Sequence, residues 1–560
     1  MYLIFDTETT GLPKRWNAPV TDTNNWPRAV QIAWQLHDDL GVLMEQKDFL
    51  IVPEGFDIPF DAEKIHGIST ELAAEKGHTL SEVLKEFRSV LDRSDFVVGQ
   101  NVGFDINIMG CELVRAGFEP TLDQFPVLDT CTEKTALLCQ IPGGRGGKFK
   151  LPNLTELHQH LFGEPFGEAH NATADVEATT RCFFELLRVG NYSETELQKE
   201  PGYLQRFSDS NPSTIQVIGL KHLNLKKASD AIRAKQKANE GSSISQDELQ
   251  ANAAALSDVS FSHLHNHTQF SILQATTKID DLVQTAGRFK MPGVAMTDLG
   301  NMMGAFHFVN AVKKQNKAAQ EEAELATEEG REPQFTPVKA IVGCEMFVCK
   351  DRLNKDYKDN GYQVPLLAKN KDGYHNLAKL SSLGYIEGFY YVPRIDKELL
   401  LTLKGDLIVT TGGLQGEVPH LILNVGEKQA EEAFVWYAEN FGEDFYAELL
   451  RHDLPEEDRV NTTLLQFCEK YNVKYFAANN TYYAKEEDSY AHDILLCVKE
   501  GEKKSTPIGR GRGYRYGFPN NSFYIKSSEE MKGLFADLPQ AIITTNEIVD
   551  KIESFQLASD

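Results

Sequence analysis

Eight cysteines are scattered through 560 residues without a single C-x-x-C pair. That pattern speaks against a zinc ribbon, a thioredoxin-like redox site or a disulfide framework, and fits reduced, buried thiols in a cytosolic protein. Long apolar runs are missing too: none reaches the roughly 18 residues needed to cross a bilayer. The opening MYLIFDTETTG reads directly into a core strand, so no residues are left for a signal peptide. Basic residues are also short, with 57 Lys and Arg against 82 Asp and Glu, a formal net charge of −25. A protein gripping duplex DNA by its phosphates usually shows a basic face. Any phosphodiester handled here must therefore be held locally, by metal ions and a few basic loops. GGRGGKFK, with Arg145, Lys148 and Lys150, and IGRGRGYRYG, with Arg510, Arg512 and Arg515 among tyrosines, are the DNA-binding candidates. No internal repeat is visible, which excludes a solenoid.

What is present is an ordinary globular composition, 41% hydrophobic and 25% charged, with length enough for two to four domains. Residues 1–190 alternate strands (YLIFDTE, AVQIAWQLH, DFLIVP, SDFVVGQN) with helical stretches. One helix begins at Phe104, and TADVEATTRCFFELLRVG closes the unit, with Thr173 as its expected N-cap. Residues 191–258 are polar and poor in aromatics, and read as a helical, partly flexible linker. The alternation resumes at Val259 and runs to about 545, interrupted by a charged, low-complexity stretch at 313–334 that reads as a surface insertion.

FDTETTG puts Asp6 and Glu8 two positions apart on one strand, hence on one face. Two carboxylates so close repel unless a cation lies between them. GQNVGFD adds Asp105 where a helix begins after an apolar strand, and HNATAD adds His170 and Asp175 at the entrance to the closing helix. Two divalent ions held by acids from separate segments suit phosphodiester hydrolysis, and a histidine with an ordinary pKa near 6.5 suits removal of a proton from water.

This set of motifs resembles the DEDDh branch of the DnaQ-like 3′–5′ exonucleases over about residues 1–188. KIHGIS (Lys64–Ser69) and VLDTCT around Asp129 match further family features. The resemblance implies an RNase H-like fold and two Mg²⁺ (or Mn²⁺) held by Asp6, Glu8, Asp105 and Asp175. It also implies His170 as general base. Gln100 stands where the family often has histidine, and PKRWNAPVTDTNNWP (13–27) looks like an insertion after the first motif.

FSHLHNHTQFSILQ (261–274) raises a separate question, because His263, His265 and His267 alternate as if along one strand face, the arrangement a zinc or manganese site would use. Together with GVAMTDLGNMMGAFHF, IVGCEMF, LLAKNKDGYHNLAKLSSLGYIEGFYYVPRID and EEDSYAHDILLC, it resembles the polymerase-and-histidinol-phosphatase (PHP) domain. The version is the one that opens bacterial replicative DNA polymerase III alpha subunits, a distorted α/β barrel, here over 259–545. His265, His267 and Glu345 match that family's metal ligands. Gln274, Leu299, Gln363, Gly413, Asn480 and Tyr482 stand where other ligands belong. Amides, leucine, glycine and tyrosine do not assemble a multi-metal centre, so the three are expected as remnants, with no zinc. Residues 546–560 resemble the start of the segment leading to a polymerase palm, as if this were the first part of a longer chain.

The favoured reading is a proofreading 3′–5′ exodeoxyribonuclease joined to a metal-free PHP support within a replicative polymerase. The parent chain is expected to be a DNA-directed DNA polymerase, cytoplasmic and nucleoid-associated. Expected partners are DNA 3′ ends and primer–template, the remainder of the polymerase, the sliding clamp and other replisome subunits, with no membrane. A ribonuclease trimming RNA 3′ ends uses the same five residues and is an alternative, as is a non-catalytic polymerase scaffold.

Overall fold

The computed structural model describes residues 1–143, 148–167, 170–220, 222–239, 245–509 and 514–557, with the side chains of 236–239 aside. The chain divides into two compact units, Met1–Ser242 and Ser243–Asp560.

In the first unit, β1 (Tyr2–Thr9) lies at the centre of a five-stranded sheet. It pairs antiparallel with β2 (Ala29–His37), which pairs antiparallel with β3 (Leu43–Leu50). On its other side β1 runs parallel to β4 (Phe96–Gly99), and β4 to β5 (Val127–Asp129). A central strand is covered on both faces, and the alternation of side chains shows it. Leu3 and Phe5 enter a core with Val83, Phe87, Ile108 and Met109, from the helices Leu80–Leu91 and Gly103–Arg115. Tyr2 and Ile4 enter a second core with Val176, Phe183 and Leu187 of the helix Ala172–Arg188. Continuing that register, Asp6 and Glu8 fall on the face of the 172–188 helix, and Thr7 on the face of the 103–115 helix.

Two sequence expectations change here. The closing helix is capped by Asn171, whose side chain accepts from the Thr173 amide, so Thr173 is inside the first turn and is not the cap. The 191–258 stretch is not uniform either. Tyr192, Leu197, Tyr203 and Phe207 join the second core. Leu225 and Ile232 of the helix Leu225–Asn239 pack with Ile58, Ile68 and Leu72, and Arg233 pairs with Glu63.

In the second unit the sheet runs β12 (Lys474–Ala478), β11 (Phe445–Leu450), β10 (Leu407–Thr410), β8 (Tyr362–Ala368), β7 (Lys339–Cys349), β6 (Gly293–Met296), with β9 (Arg394–Asp396) pairing β7. Its edges, β6 and β12, are joined by the histidine-rich segment. The amides of Ala295 and Thr297 donate to the carbonyls of His263 and Asn266, and the Thr481 and His265–His267 backbones exchange bonds on the opposite side. The segment is extended without being a full strand; its one bridge is Asn266 to Thr481. It acts as the last stave of a distorted α/β barrel. The 313–334 stretch, expected as a surface insertion, is mostly the second half of a 24-residue helix, Ala305–Glu328, whose Ala319 and Ala326 are buried seven residues apart. Among the described residues no helix is long and apolar enough to cross a membrane.

Candidate active site

Three segments converge at the C-terminal end of β1. Carboxylate oxygens of Asp6, Glu8 and Asp175 lie within 4.8 Å of one another. Asp175 sits in the first turn of the 172–188 helix, and its Oδ2 accepts the His170 amide at 3.0 Å. Asp105 approaches from the other side of the strand. Its Oδ1 accepts both the amide (3.0 Å) and the hydroxyl (2.6 Å) of Thr7, which clamps the 103–115 helix to β1. Thr7 is a positioning residue that sequence reasoning missed; its position between the two acids was the available signal.

Asp129 has a similar task one step further out. Its carboxylate accepts the amides of Asn101 (2.8 Å), Val102 (3.1 Å) and Cys131 (2.7 Å), fixing the turn that delivers Asp105, where Asn101 takes φ +58°. A left-handed backbone suits asparagine better than most residues.

The electrostatics are those of a site built for cations. Burial first, and then Asp105, Asp175 and Glu8, hold Asp6 well above the usual carboxylate range. Burial, Asp175 and Asp105 push Glu8 up to about 8. Burial outweighs the Thr7 bonds and takes Asp105 to about 7; for Asp175 burial outweighs the His170 amide, with the same result. Hard oxygen donors that repel one another suit Mg²⁺ or Mn²⁺, so the residues fit the expected ions.

His170 is exposed, with φ +70°, and it touches the acids through its amide. It lines a small cleft of about 150 Å³ with His66, Gly67, Asn171, Leu225 and Lys226. His66 is buried, and that burial lowers its pKa to about 4, which keeps it neutral while its Nδ1 accepts the Ile68 amide.

The basic loops separate. Arg145, Arg510 and Arg512 lie outside the described residues. Lys148 and Lys150 pair with Glu133 and Glu156. Arg515 is a correction: it is 5% exposed, forks onto Asp493 and donates to the carbonyls of Thr506 and Tyr516, so its donors serve the fold and not a ligand.

In the second unit, His265, His267 and Glu345 come together with ligand atoms within 4.8 Å. His263 does not join them; its Nε2 faces the Lys526 carbonyl, which corrects the expectation of three histidines on one face. His267 is bonded at Nε2 to Glu345 (2.8 Å) and at Nδ1 to the Thr481 carbonyl (3.1 Å). His265 lies between two carboxylates, with Glu345 3.4 Å from Nε2 and Glu448 on Nδ1. Burial works against a charged His265, but Glu448 and Glu345 prevail and raise its pKa to about 10. Burial works the other way on Glu345, which His265 and His267 hold down at about 2.

Glu448 was missed from sequence, although a lone acid in the otherwise apolar FYAELL strand was a signal. Tyr482, at a lost ligand position, stacks on His267 with ring centroids 4.2 Å apart. Three donors fit one ion at most, and Glu345 and Glu448 are both bonded to these histidines.

Comparison with known proteins accords with this geometry. Residues 3–183 match the Exonuclease family model, and residues 263–452 the PHP domain model. The chain is similar to the DNA polymerase III alpha subunit of Borreliella burgdorferi, 38% identical over 301 residues, 53% of this chain and 24% of that one. It is also similar to those of Treponema pallidum (36%, covering 52% and 23%) and Thermus aquaticus (37%, covering 51% and 22%). The matched stretch thus spans about a quarter of these curated relatives. Among solved structures, Escherichia coli exonuclease I in complex with a dA16 oligonucleotide aligns at 20% identity over 37% of this chain and 43% of that one, TM-score 0.28. Residues 3–183 of the chain thus carry an exonuclease domain and residues 263–452 a PHP domain.

Proposed function

We propose that the first unit is a 3′–5′ exodeoxyribonuclease that proofreads for a DNA polymerase III alpha chain, and that the second unit supports it without a metal cluster. The observation that carries this is the convergence of Asp6, Glu8 and Asp175, with Asp105 locked to the same strand by Thr7. Asp6, Glu8, Asp105 and Asp175 would hold two Mg²⁺ (or Mn²⁺), which when bound supply an activated water and neutralise charge on the leaving oxygen. The chain's own contribution is placement. Thr7 and Asp129 fix Asp105, the Asn171 cap and the His170 amide fix Asp175, and His170, exposed at the rim, accepts the proton of the attacking water.

For the second unit, the support is chemical. Glu448 is bonded to the His265 Nδ1, Glu345 and the Thr481 carbonyl to the two ring nitrogens of His267, and neutral residues stand at six other ligand positions. The polymerase relatives favour DNA over RNA as substrate and a polymerase chain as partner; the clamp and replisome subunits are proposed with that chain.

A time course on a mismatched primer–template, with and without Mg²⁺ and beside an RNA strand of the same sequence, tests the reading. Mg²⁺-dependent release of 5′-monophosphates from DNA is expected. Faster trimming of RNA, or no cleavage of either strand, would overturn it.

A further inference from the structure

The insertion at 13–27 is built as rigidly as a core element. Arg15 and Asn25 exchange two bonds (Arg15 amide to Oδ1, 2.8 Å; Asn25 Nδ2 to the Arg15 carbonyl, 2.9 Å), and the Lys14 amide donates to the Asn25 carbonyl. Arg115 donates to the carbonyls of Thr23, Trp26 and Pro27, and is itself held by buried Glu112, which also pairs with Arg28. Trp26 turns inward, 3% exposed, with its indole N–H on the Pro19 carbonyl.

Against this background Trp16 is anomalous. It is 59% exposed, on a loop tied down at Arg15, Thr23 and Asn25. A flexible loop would fold such a side chain away; this one holds it out. Its ring lies 5.9 Å from that of Phe104, the residue immediately before Asp105 in the first turn of the helix that carries that ligand. Large exposed aromatics held rigidly next to a cleft act as stacking surfaces, because every nucleobase presents a π-face.

We propose that Trp16 is a nucleobase-stacking residue, a subsite that takes a base of a single-stranded end as that end enters the carboxylate site. The assignment rests on the exonuclease reading above and adds a binding residue to it. Trp16 contacts no reacting atom, so its removal weakens binding and leaves the chemical step intact. One base–aromatic stack is worth about 1–3 kcal/mol, which is about 5- to 150-fold in KM.

The test uses the full chain with Trp16→Ala and Trp16→Phe on two oligodeoxythymidylates, one with ordinary nucleotides throughout and one whose last three nucleotides are abasic. Trp16→Ala is expected to raise KM on the ordinary end by 5-fold or more with kcat nearly unchanged, Trp16→Phe to recover most of the loss, and the abasic end to show no difference between the proteins. In EDTA, where no turnover occurs, oligodeoxythymidylate should quench tryptophan fluorescence in the wild type but not in Trp16→Phe. Equal KM values on the ordinary end, or an equal penalty on both ends, would overturn the stacking role. A wild type that cleaves neither oligonucleotide would instead sink the exonuclease reading, and the quenching measurement would still decide for or against Trp16.

Discussion

Replacing Glu8 by glutamine should make the metal-free protein more stable while destroying its activity. Glu8 is 9% exposed, and its carboxylate makes no hydrogen bond among the described residues, so the amide loses no partner. Burial and the neighbouring Asp175 and Asp105 raise its pKa from 4.5 to about 8. A raised folded-state pKa means that the stability linked to its proton is complete below 4.5 and is lost as pH rises through 8. At about 1.4 kcal/mol per pH unit the loss approaches 5 kcal/mol at high pH. Glutamine is neutral at every pH and is buried just as the protonated acid is, so it escapes that loss, and a gain of a few kcal/mol, at most about 5, is expected above pH 8. For a unit of this size each kcal/mol is about 2–4 °C in Tm.

The assay is differential scanning fluorimetry in EDTA from pH 5 to pH 9. The difference between variant and wild type should be near zero at pH 5 and should grow to its full value above pH 8. Adding Mg²⁺ should then raise the wild-type Tm and leave the variant almost unmoved, since ligand binding stabilises only a protein that binds. A difference that stays flat with pH, or a variant less stable than wild type at pH 9, would refute the account of the cluster as mutually repelling cation ligands.

Asp6→Ala should lower exonuclease turnover by several orders of magnitude, and His170→Ala by about 10²–10⁴-fold, the worth of a general base; steady-state rates on a labelled oligonucleotide check both. Glu448→Ala leaves His265 buried with one carboxylate in place of two, and should destabilise the second unit by about 3–5 kcal/mol in urea; a loss under 1 kcal/mol would remove Glu448 from the network. Arg394 is fully buried and donates to the carbonyls of Arg352, Asn354, Asp359 and Gly388. Arg394→Met orphans all four and should cost at least about 3 kcal/mol by the same measurement. Elemental analysis of the full chain should find no stoichiometric zinc or manganese that disappears in His265→Ala/His267→Ala yet survives in Asp6→Ala.

How far sequence carried the reading depends on whether an element declares itself locally. AVQIAWQLH is a strand over the whole of its expected range, and Asp6, Glu8 and Asp175, which converge at the end of β1, could be singled out because strand period, helix entry and family resemblance mark them without tertiary information. What stayed hidden was set by partners distant in sequence. Glu448 matters only because His265, 183 residues away, needs a counter-charge. Arg515 looks like a phosphate ligand until Asp493 takes both sides of its guanidinium. The 313–334 stretch reads as a solvated insertion because two alanines among many charges are too faint a seam to announce a packed helix. The histidine segment misled in another way: alternation implied one shared face, but His263 is taken by the Lys526 carbonyl, 263 residues away in sequence.

That stave also imposes an order on synthesis. His267 bonds to Thr481, 214 residues further along the chain. At about 5–20 residues per second, the ribosome needs roughly 10–40 s to deliver the partner after the stave has emerged. The first unit waits almost as long for its own closing contact, Tyr2 to Tyr203, 201 residues apart, but that wait is over before the stave emerges. The barrel half-built around an unpaired edge is the form exposed to chaperones and to strand-seeking neighbours. Slowing translation between 267 and 481 should therefore lower the yield of the whole chain more than an equal pause at residue 242, when the first unit is complete and the stave has not yet emerged.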